Sequence, residues 1–172
     1  MGVTPLLYAA RSGNCNIFEL LLQSGAQLDY KNANGFSSLH ISAALGHNDI
    51  VTFLIERGII IDVRTAIQAT PLHLAAEGGH RETVDILLAA GANFCAVNEE
   101  GSTPLHLSAG EGHAAVSESL VIKGSNVNVK NKMNRTPLHL AAKKASATLD
   151  HSGVVESLLR SGAKHDVLDE NN

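Results

Sequence analysis

The stretch Thr70-Pro71-Leu72-His73 decides the fold, because related stretches recur along the chain at a constant interval of 33 residues. The related stretches are Thr4-Pro5-Leu6-Leu7, Ser37-Ser38-Leu39-His40, Thr103-Pro104-Leu105-His106 and Thr136-Pro137-Leu138-His139. Five copies in one register within 172 residues indicate a chain built from five copies of one structural unit.

Two series of glycines keep the same interval and divide each unit further. One series follows the signature, and the other precedes its next copy. Glycine is common just past the last turn of a helix, because it adopts the left-handed backbone conformation without steric cost. Two glycines per unit therefore predict two helix ends per unit. The two series are Gly13, Gly46, Gly79 and Gly112, and Gly25, Gly58, Gly91 and Gly124.

The third unit shows how local chemistry starts and stops the first helix. Thr70 is a suitable N-cap, since its hydroxyl can accept a hydrogen bond from a backbone N–H of the first turn. Pro71 suits the first helical position, where its fixed φ fits and its missing N–H removes no bond. Leu72 and Ala75 lie on one helix face, and we expect Gly79 to end the helix.

A second helix is predicted directly after the first. Val84, Leu87 and Leu88 have the i, i+3, i+4 spacing of one helix face, and Gly91 is expected to end it. The polar, turn-prone stretch 92–101 then connects to the next unit. Since so short a helix pair cannot bury its own apolar face, we expect each unit to stack on its neighbours.

This pattern resembles the ankyrin repeat, whose period and Thr-Pro-Leu-His signature it shares over essentially the whole chain. The resemblance implies an all-α solenoid of stacked helix-turn-helix units joined by hairpin fingers, in a single domain over residues 1–172. The fifth unit contains a predicted five-residue insertion within 143–150, between its two helices. The units are approximately 2–34, 35–67, 68–100, 101–133 and 134–172.

Some positions depart from the repeat. Ser37-Ser38 keeps a capping hydroxyl but lacks the proline, and Leu7 replaces the histidine in the first unit. Gln68 stands where Gly35 and Gly101 occur in neighbouring fingers. If this position requires a positive φ, glutamine costs about 1 kcal/mol there, so we expect the finger at 64–69 to be reshaped.

Composition and charge exclude several classes of protein. The formal charge of -4 lacks the basic excess of a general nucleic-acid binder, so no nucleic-acid partner is expected. No run approaches the roughly 18 apolar residues of a membrane-spanning helix, so no membrane insertion is expected. The start of the chain also lacks the basic head and long apolar run of a signal peptide.

Two cysteines, Cys15 and Cys95, are too few for a disulfide framework and have no zinc-ligand spacing around them. They are expected to lie two stacked layers apart, beyond bridging distance, as small buried or half-buried fillers. The simplest setting is reducing and intracellular, either cytoplasmic or nuclear.

Nine histidines raise the question of a metal or catalytic site, but the period accounts for most of them. The resemblance implies that they form structural hydrogen bonds within and between repeats. No carboxylate recurs beside them to build a triad or a metal site, so neither a metal nor a cofactor is expected. A metal or small-ligand site built on the histidines is the alternative. The two periodic series are His40, His73, His106 and His139, and His47, His80, His113 and His151.

The residues that face a partner are expected where the units differ. The resemblance places them on the finger tips and on the exposed side of the first helix. In chain order they run from apolar through acidic to basic, which suggests a docking groove with polarity. The candidate binding residues are Phe36, Leu45, Ile67, Glu77, Glu99, Glu100, Glu111, Lys132, Met133, Arg135, Lys143 and Lys144.

Each end of this surface has a second interpretation. Phe36, Leu45 and Ile67 are candidates for an interaction anchor, but they could equally pack on neighbouring fingers. Residues 119–149 carry six basic side chains and no acidic one, which suits an acidic or phosphorylated segment. The leading explanation for this basic stretch is nevertheless a solvated face.

We therefore predict a non-catalytic, monomeric protein-protein interaction module that binds a protein or peptide along its concave face, as a scaffold or adaptor. The apolar helix at 154–159 and the short entry before Thr4 suggest a fragment of a longer array. The alternative is a regulatory or targeting region of a larger effector, toxin, channel or enzyme whose active domain is absent.

Overall fold

The computed structural model describes residues 2–144 and 151–170. Within those ranges the chain forms ten short helices and no strand. They are α1 Pro5–Ser12, α2 Cys15–Gln23, α3 Ser38–Ala44, α4 Asn48–Glu56, α5 Pro71–Glu77, α6 Arg81–Ala89, α7 Pro104–Gly110, α8 Ala114–Ile122, α9 Pro137–Lys144 and α10 Ser152–Arg160. The predicted all-α architecture is confirmed.

The helices form two parallel layers. In the first layer α1, α3, α5, α7 and α9 each contact the next, and in the second layer α2, α4, α6, α8 and α10 do the same. Within each unit the two helices also pack on each other. No helix in the described part of the chain is long and apolar enough to cross a bilayer.

A continuous apolar core runs between the layers. The leucine of each of the first four signatures is at most 2% exposed, Leu138 of the fifth is half-buried, and the alanines that follow the leucine are buried in the central units. Small side chains there let adjacent first helices approach closely, while larger side chains from the second helices fill the remaining space. The main members are Leu6, Phe18, Leu39, Ile50, Leu54, Leu72, Leu87, Leu105, Leu120, Val154 and Leu158.

The predicted helix start at Thr70 is present in detail. Thr70 has an extended backbone, Pro71 occupies the first helical position, and the Thr70 hydroxyl accepts a hydrogen bond from His73 N–H. In the second unit Ser37 is the N-cap and α3 begins without a proline. Ser38, which replaces that proline, is 1% exposed, and no described residue bonds its hydroxyl.

The first glycine series is required for two reasons. Gly79 has a φ of 72°, and a Cβ placed there would lie 2.6 Å from Cε1 of His113 in the next unit. Any side chain would therefore strain the backbone and displace the histidine ring. Gly91 of the second series has a φ of 92° but no heavy atom within 4 Å of such a Cβ.

The finger between the second and third units differs from the prediction. Gln68 does take a positive φ of 60°, but the 64–69 finger is not reshaped. Its backbone closes with the same N–H to carbonyl bond, Gln68 to Thr65 at 3.0 Å, that joins Gly35 to Asn32. One reason is Arg64, whose Nη1 donates to the Gln68 carbonyl at 3.0 Å. The turn geometry is therefore kept, with glutamine in a strained conformation.

Adjacent finger tips are joined to each other by backbone hydrogen bonds. The N–H groups of Ala66, Glu99 and Lys132 donate to carbonyls of the preceding tip at 2.9, 2.9 and 3.0 Å. The accepting carbonyls belong to Asn34, Ile67 and Glu100. Fingers from successive units are thus held in register.

Two further predictions concern the insertion and the cysteines. Of the predicted insertion within 143–150, residues 145–150 lie outside the described residues. Both cysteines are free thiols. Cys15 is half-buried, with burial and Glu19 raising its pKa, whereas Cys95 is exposed, so its prediction as a buried or half-buried filler is wrong.

Candidate functional site

The third to fifth units form a groove between the first-helix layer and the fingers, which we call the finger groove. It consists of two adjoining clefts with volumes of about 200 and 330 Å³. Glu77, Glu100 and Leu107 line both clefts and join them. Of the predicted binding residues, the finger groove contains Ile67, Glu77, Glu99, Glu100, Glu111, Met133, Arg135 and Lys143.

The floor of the finger groove is apolar. Leu74, Leu107 and Leu140 line it, each half-buried and each four residues after the threonine of its signature. Sequence analysis did not select these leucines as binding residues, because they recur with the period, and a recurring leucine is typical of the core. The signal was their helical position: Leu107 lies two residues beyond the fully buried Leu105, about 200° around the helix.

Acidic side chains rim the groove at the third and fourth units. Glu77 lies at the end of α5, and Glu99 and Glu100 lie on the tip of the next finger, all three exposed. Within residues 2–144 and 151–170, none of these three carboxylates forms an ion pair. Glu111 is half-buried at the C-terminal end of α7.

Basic side chains lie toward the fifth unit, but they are not equivalent. Arg135 forms an ion pair with Asp169, with Nε and Oδ2 3.2 Å apart, and the two side chains are 17% and 18% exposed. Lys143 is exposed and lines the groove, whereas Lys132 is exposed on the finger tip without lining it. The Lys144 side chain lies outside the described atoms.

The predicted apolar anchor is not one patch on this groove. Ile67 is 53% exposed and lines the smaller cleft. Leu45 is 45% exposed but does not line either cleft of the groove. Phe36 is half-buried and packs on His40, with ring centroids 5.8 Å apart. This contact lies within the unit of Phe36 itself, so both interpretations of Phe36 stay predictions.

Three signature histidines, His40, His73 and His106, each link two units. Nδ1 of His73 accepts from Thr70 N–H at 3.2 Å, so the neutral ring carries its proton on Nε2, which donates to the Ser102 carbonyl at 3.0 Å. His40 and His106 bond the carbonyls of Ala69 and Arg135 in the same way, at 3.3 and 2.9 Å. These bonds run forward, to the residue just before the next signature.

Burial keeps these signature histidines neutral. It lowers the pKa of His40 and of His73 to about 4, against an ordinary value of 6.5, and it also lowers the pKa of His106. A charged ring would lose its hydration, and a proton on Nδ1 would face the donor N–H of the N-cap. With both nitrogens bonded to the protein, neither is open to act as a base or a metal ligand.

The second histidine series links units in the opposite direction. His47, His80, His113 and His151 each place Nε2 2.9 to 3.0 Å from a carbonyl at the end of the preceding first helix. The predicted structural role of the histidines is thus confirmed for both series. In the described part of the chain, no group of three or more His, Cys, Asp or Glu residues could hold a metal ion.

Comparison with protein families agrees with this geometry. The family model for ankyrin repeats, in three copies, matches residues 1–65 and 72–169. The chain belongs to the ankyrin repeat family. Ankyrin repeats are generally protein-protein interaction modules. A search of curated proteins found no significant match to the chain.

The ankyrin array has a larger cleft elsewhere, with a volume of about 490 Å³ between its first and second fingers. Its lining includes the apolar residues Leu28, Ile59, Ile60 and Val63 and the cation Arg57. It shares no lining residue with the finger groove. This larger cleft and the finger groove are therefore separate surfaces of the array.

Proposed function

We propose that this ankyrin array is a non-catalytic interaction module that binds an extended segment of a partner protein in the finger groove. The observation that carries the proposal is an apolar floor, made by Leu74, Leu107 and Leu140, inside a rim of charged finger and helix residues. An apolar centre within a polar rim is the usual anatomy of a protein interface.

The groove is built from groups that are already held in place, so the array needs little further ordering when a partner binds. Leu74 and Leu107 of its floor belong to α5 and α7, which pack between neighbouring first helices, and its finger wall is held by the backbone bonds between adjacent tips. Because these groups are already fixed, binding loses less conformational entropy on the module's side than binding to a mobile loop would. An extended peptide suits a groove that crosses three units.

The test is capture of partners from cell lysate by the wild-type array and by Leu107→Lys. This variant places a charge in the middle of the floor and should abolish capture of any partner held in the groove. Ile122→Lys is the matched control, since Ile122 is 74% exposed on α8 in the second-helix layer. Circular dichroism first confirms that both variants fold.

We expect proteins that bind the wild type and Ile122→Lys equally but fail to bind Leu107→Lys. If Leu107→Lys keeps every partner of the wild type, the finger groove is not the binding surface. Loss of the same partners in both variants would also contradict the proposal, because the effect would not be specific to the groove.

A further inference from the structure

The finger groove carries opposite charges at its two ends, on one apolar floor. At the third unit, Glu77, Glu99 and Glu100 line a cleft whose apolar lining includes Ile67 and Leu74. At the fifth unit, the larger cleft ends at Lys143. The floor between them is continuous through Leu107 and Leu140.

The carboxylates at the acidic end are not neutralised by the described part of the chain. Arg64, the cation of the preceding finger, directs its Nη1 to the carbonyls of Gln68 and Val97 at 3.0 and 2.9 Å. The two ion pairs among described residues, Arg81 with Asp85 and Arg135 with Asp169, involve none of the three glutamates. Their charge is available to a partner.

The backbone N–H groups of the acidic finger tip are hydrogen-bonded within the protein, which holds the backbone that carries Glu99 and Glu100. Asn98 Oδ1 accepts from Glu100 N–H at 3.0 Å and from Ser102 N–H at 2.9 Å. Glu99 N–H donates to the Ile67 carbonyl at 2.9 Å. With these N–H groups occupied, the tip offers carboxylate acceptors, and the matching partner groups are Arg or Lys donors.

At the basic end, the described residues place one cation without an ion pair, Lys143, on the groove wall. Arg135 is engaged by Asp169, so its charge is already balanced. Lys143 lines the groove and Lys132 stands on the finger tip above it, and neither forms an ion pair within the described residues. A carboxylate or another anionic group of the partner complements this end.

We propose that the occupant of the finger groove is a peptide segment with the reverse charge order. Its basic side chains lie over Glu77, Glu99 and Glu100, its apolar side chains lie on the leucine floor, and its acidic side chains lie toward Lys132 and Lys143. This inference rests on the proposed function and adds the chemistry of the partner. Because charge complementarity also disfavours wrong registers, it determines in which direction a segment binds.

The test uses a displayed library of random peptides selected on the folded array. Selected peptides are expected to be enriched in Arg or Lys on one side of an apolar residue and in Asp or Glu on the other. Binding of a selected, synthesised peptide is then measured by fluorescence anisotropy. The charge-reversal variant Glu99→Lys/Glu100→Lys should bind it about tenfold more weakly.

Two further measurements make the test specific. Glu118→Lys/Glu156→Lys reverses the same number of charges at exposed positions of α8 and α10 and should leave affinity unchanged. A peptide with its basic residues replaced by glutamates should bind Glu99→Lys/Glu100→Lys better than it binds the wild type. Such compensation requires direct pairing between these charges and is not expected from damage to the fold.

The outcomes separate the two proposals. Peptides that require Leu107 but show no charge enrichment, or that bind Glu99→Lys/Glu100→Lys as well as the wild type, would overturn the charge order and leave the groove assignment intact. Peptides that bind Leu107→Lys as well as the wild type would overturn both proposals.

Discussion

The stacked interior and the finger groove are made by the same helices, yet they use the sequence in opposite ways. In α7, Leu105 is 0% exposed between the layers, and Leu107, two residues later, is half-buried on the groove floor. The leucine of the signature, to which Leu105 belongs, is the same residue in all five units. At the end of the first helix, however, the third unit has Glu77 where the fifth has Lys143.

This difference shows where the molecule places stability and where it places recognition. A stacked interface must repeat, because each unit presents the same face to its neighbour. A bound segment has no such period, so residues that contact it are free to differ between units. The signature histidines belong to the first class, and the charged rim belongs to the second.

The sharpest test of this division compares two leucines of one helix. Leu105→Ala should lower the free energy of unfolding by about 2 to 5 kcal/mol, because it leaves a cavity in a fully buried site. Leu107→Ala should cost clearly less, since its side chain is already partly exposed. Urea unfolding followed by circular dichroism measures both.

Binding should show the reverse order for the same two variants. Leu107→Ala should lower the affinity of the array for the peptide selected on the groove. Leu105→Ala should leave that affinity nearly unchanged under conditions where the variant is folded. Equal losses of stability, or equal losses of affinity, would mean that interior and groove are not separate.

A second prediction concerns the pH dependence of the interior. The folded-state pKa values of His40 and His73 are about 4, below the ordinary 6.5, so the unfolded chain binds protons first as the pH falls. Stability is therefore fully present above pH 6.5 and is lost as the pH falls toward 4. At about pH 5 the loss is on the order of 2 kcal/mol for each of these two histidines.

Urea unfolding at a series of pH values measures this loss. His73→Gln removes one titrating group, so its stability should fall less steeply with acidification than that of the wild type, although it is lower at neutral pH. A wild-type stability that is flat from pH 7 to 5 would contradict neutral, buried signature histidines. The pH dependence of the imidazole NMR chemical shifts of His40 and His73 gives an independent measurement of their pKa values.

Much of the interior could be predicted from the sequence because it repeats. Five copies of one signature located the first helices, and the glycine series located where helices end. The period also identified the histidines of both series as structural. The exception at Gln68 shows the limit: the sequence indicated strain there, but not that Arg64 would hold the finger carbonyl and keep the turn.

The groove could be predicted only in part. Eight of the twelve predicted binding residues line it, because they lie where the units differ. Its leucine floor was missed because Leu74 and Leu107 repeat as core residues do. Nor did the sequence show that Arg135 is paired with Asp169, since that contact joins residues 34 positions apart in neighbouring fingers.

The smallest predicted effect compares the two glycine series and tests whether contact between units adds to backbone strain. Gly91→Ala should cost about 1 kcal/mol, because alanine is strained at a φ of 92° while its Cβ meets nothing. Gly79→Ala carries similar backbone strain at a φ of 72°. Its Cβ would in addition lie 2.6 Å from the His113 ring.

His113 must move to accommodate that methyl group, and its hydrogen bond to the Glu77 carbonyl, now 2.9 Å, would lengthen. We therefore expect Gly79→Ala to cost about 1 kcal/mol more than Gly91→Ala, the net contribution of one hydrogen bond. Gly79→Ala combined with His113→Ala should cost less than the sum of the two single substitutions, since the clash and the bond are removed together. Equal costs for the two glycines would show that strain alone fixes both series. The Gly79 variant should also loosen α5 at Glu77, so a larger loss of groove affinity than in the Gly91 variant would connect the histidine links to the acidic rim.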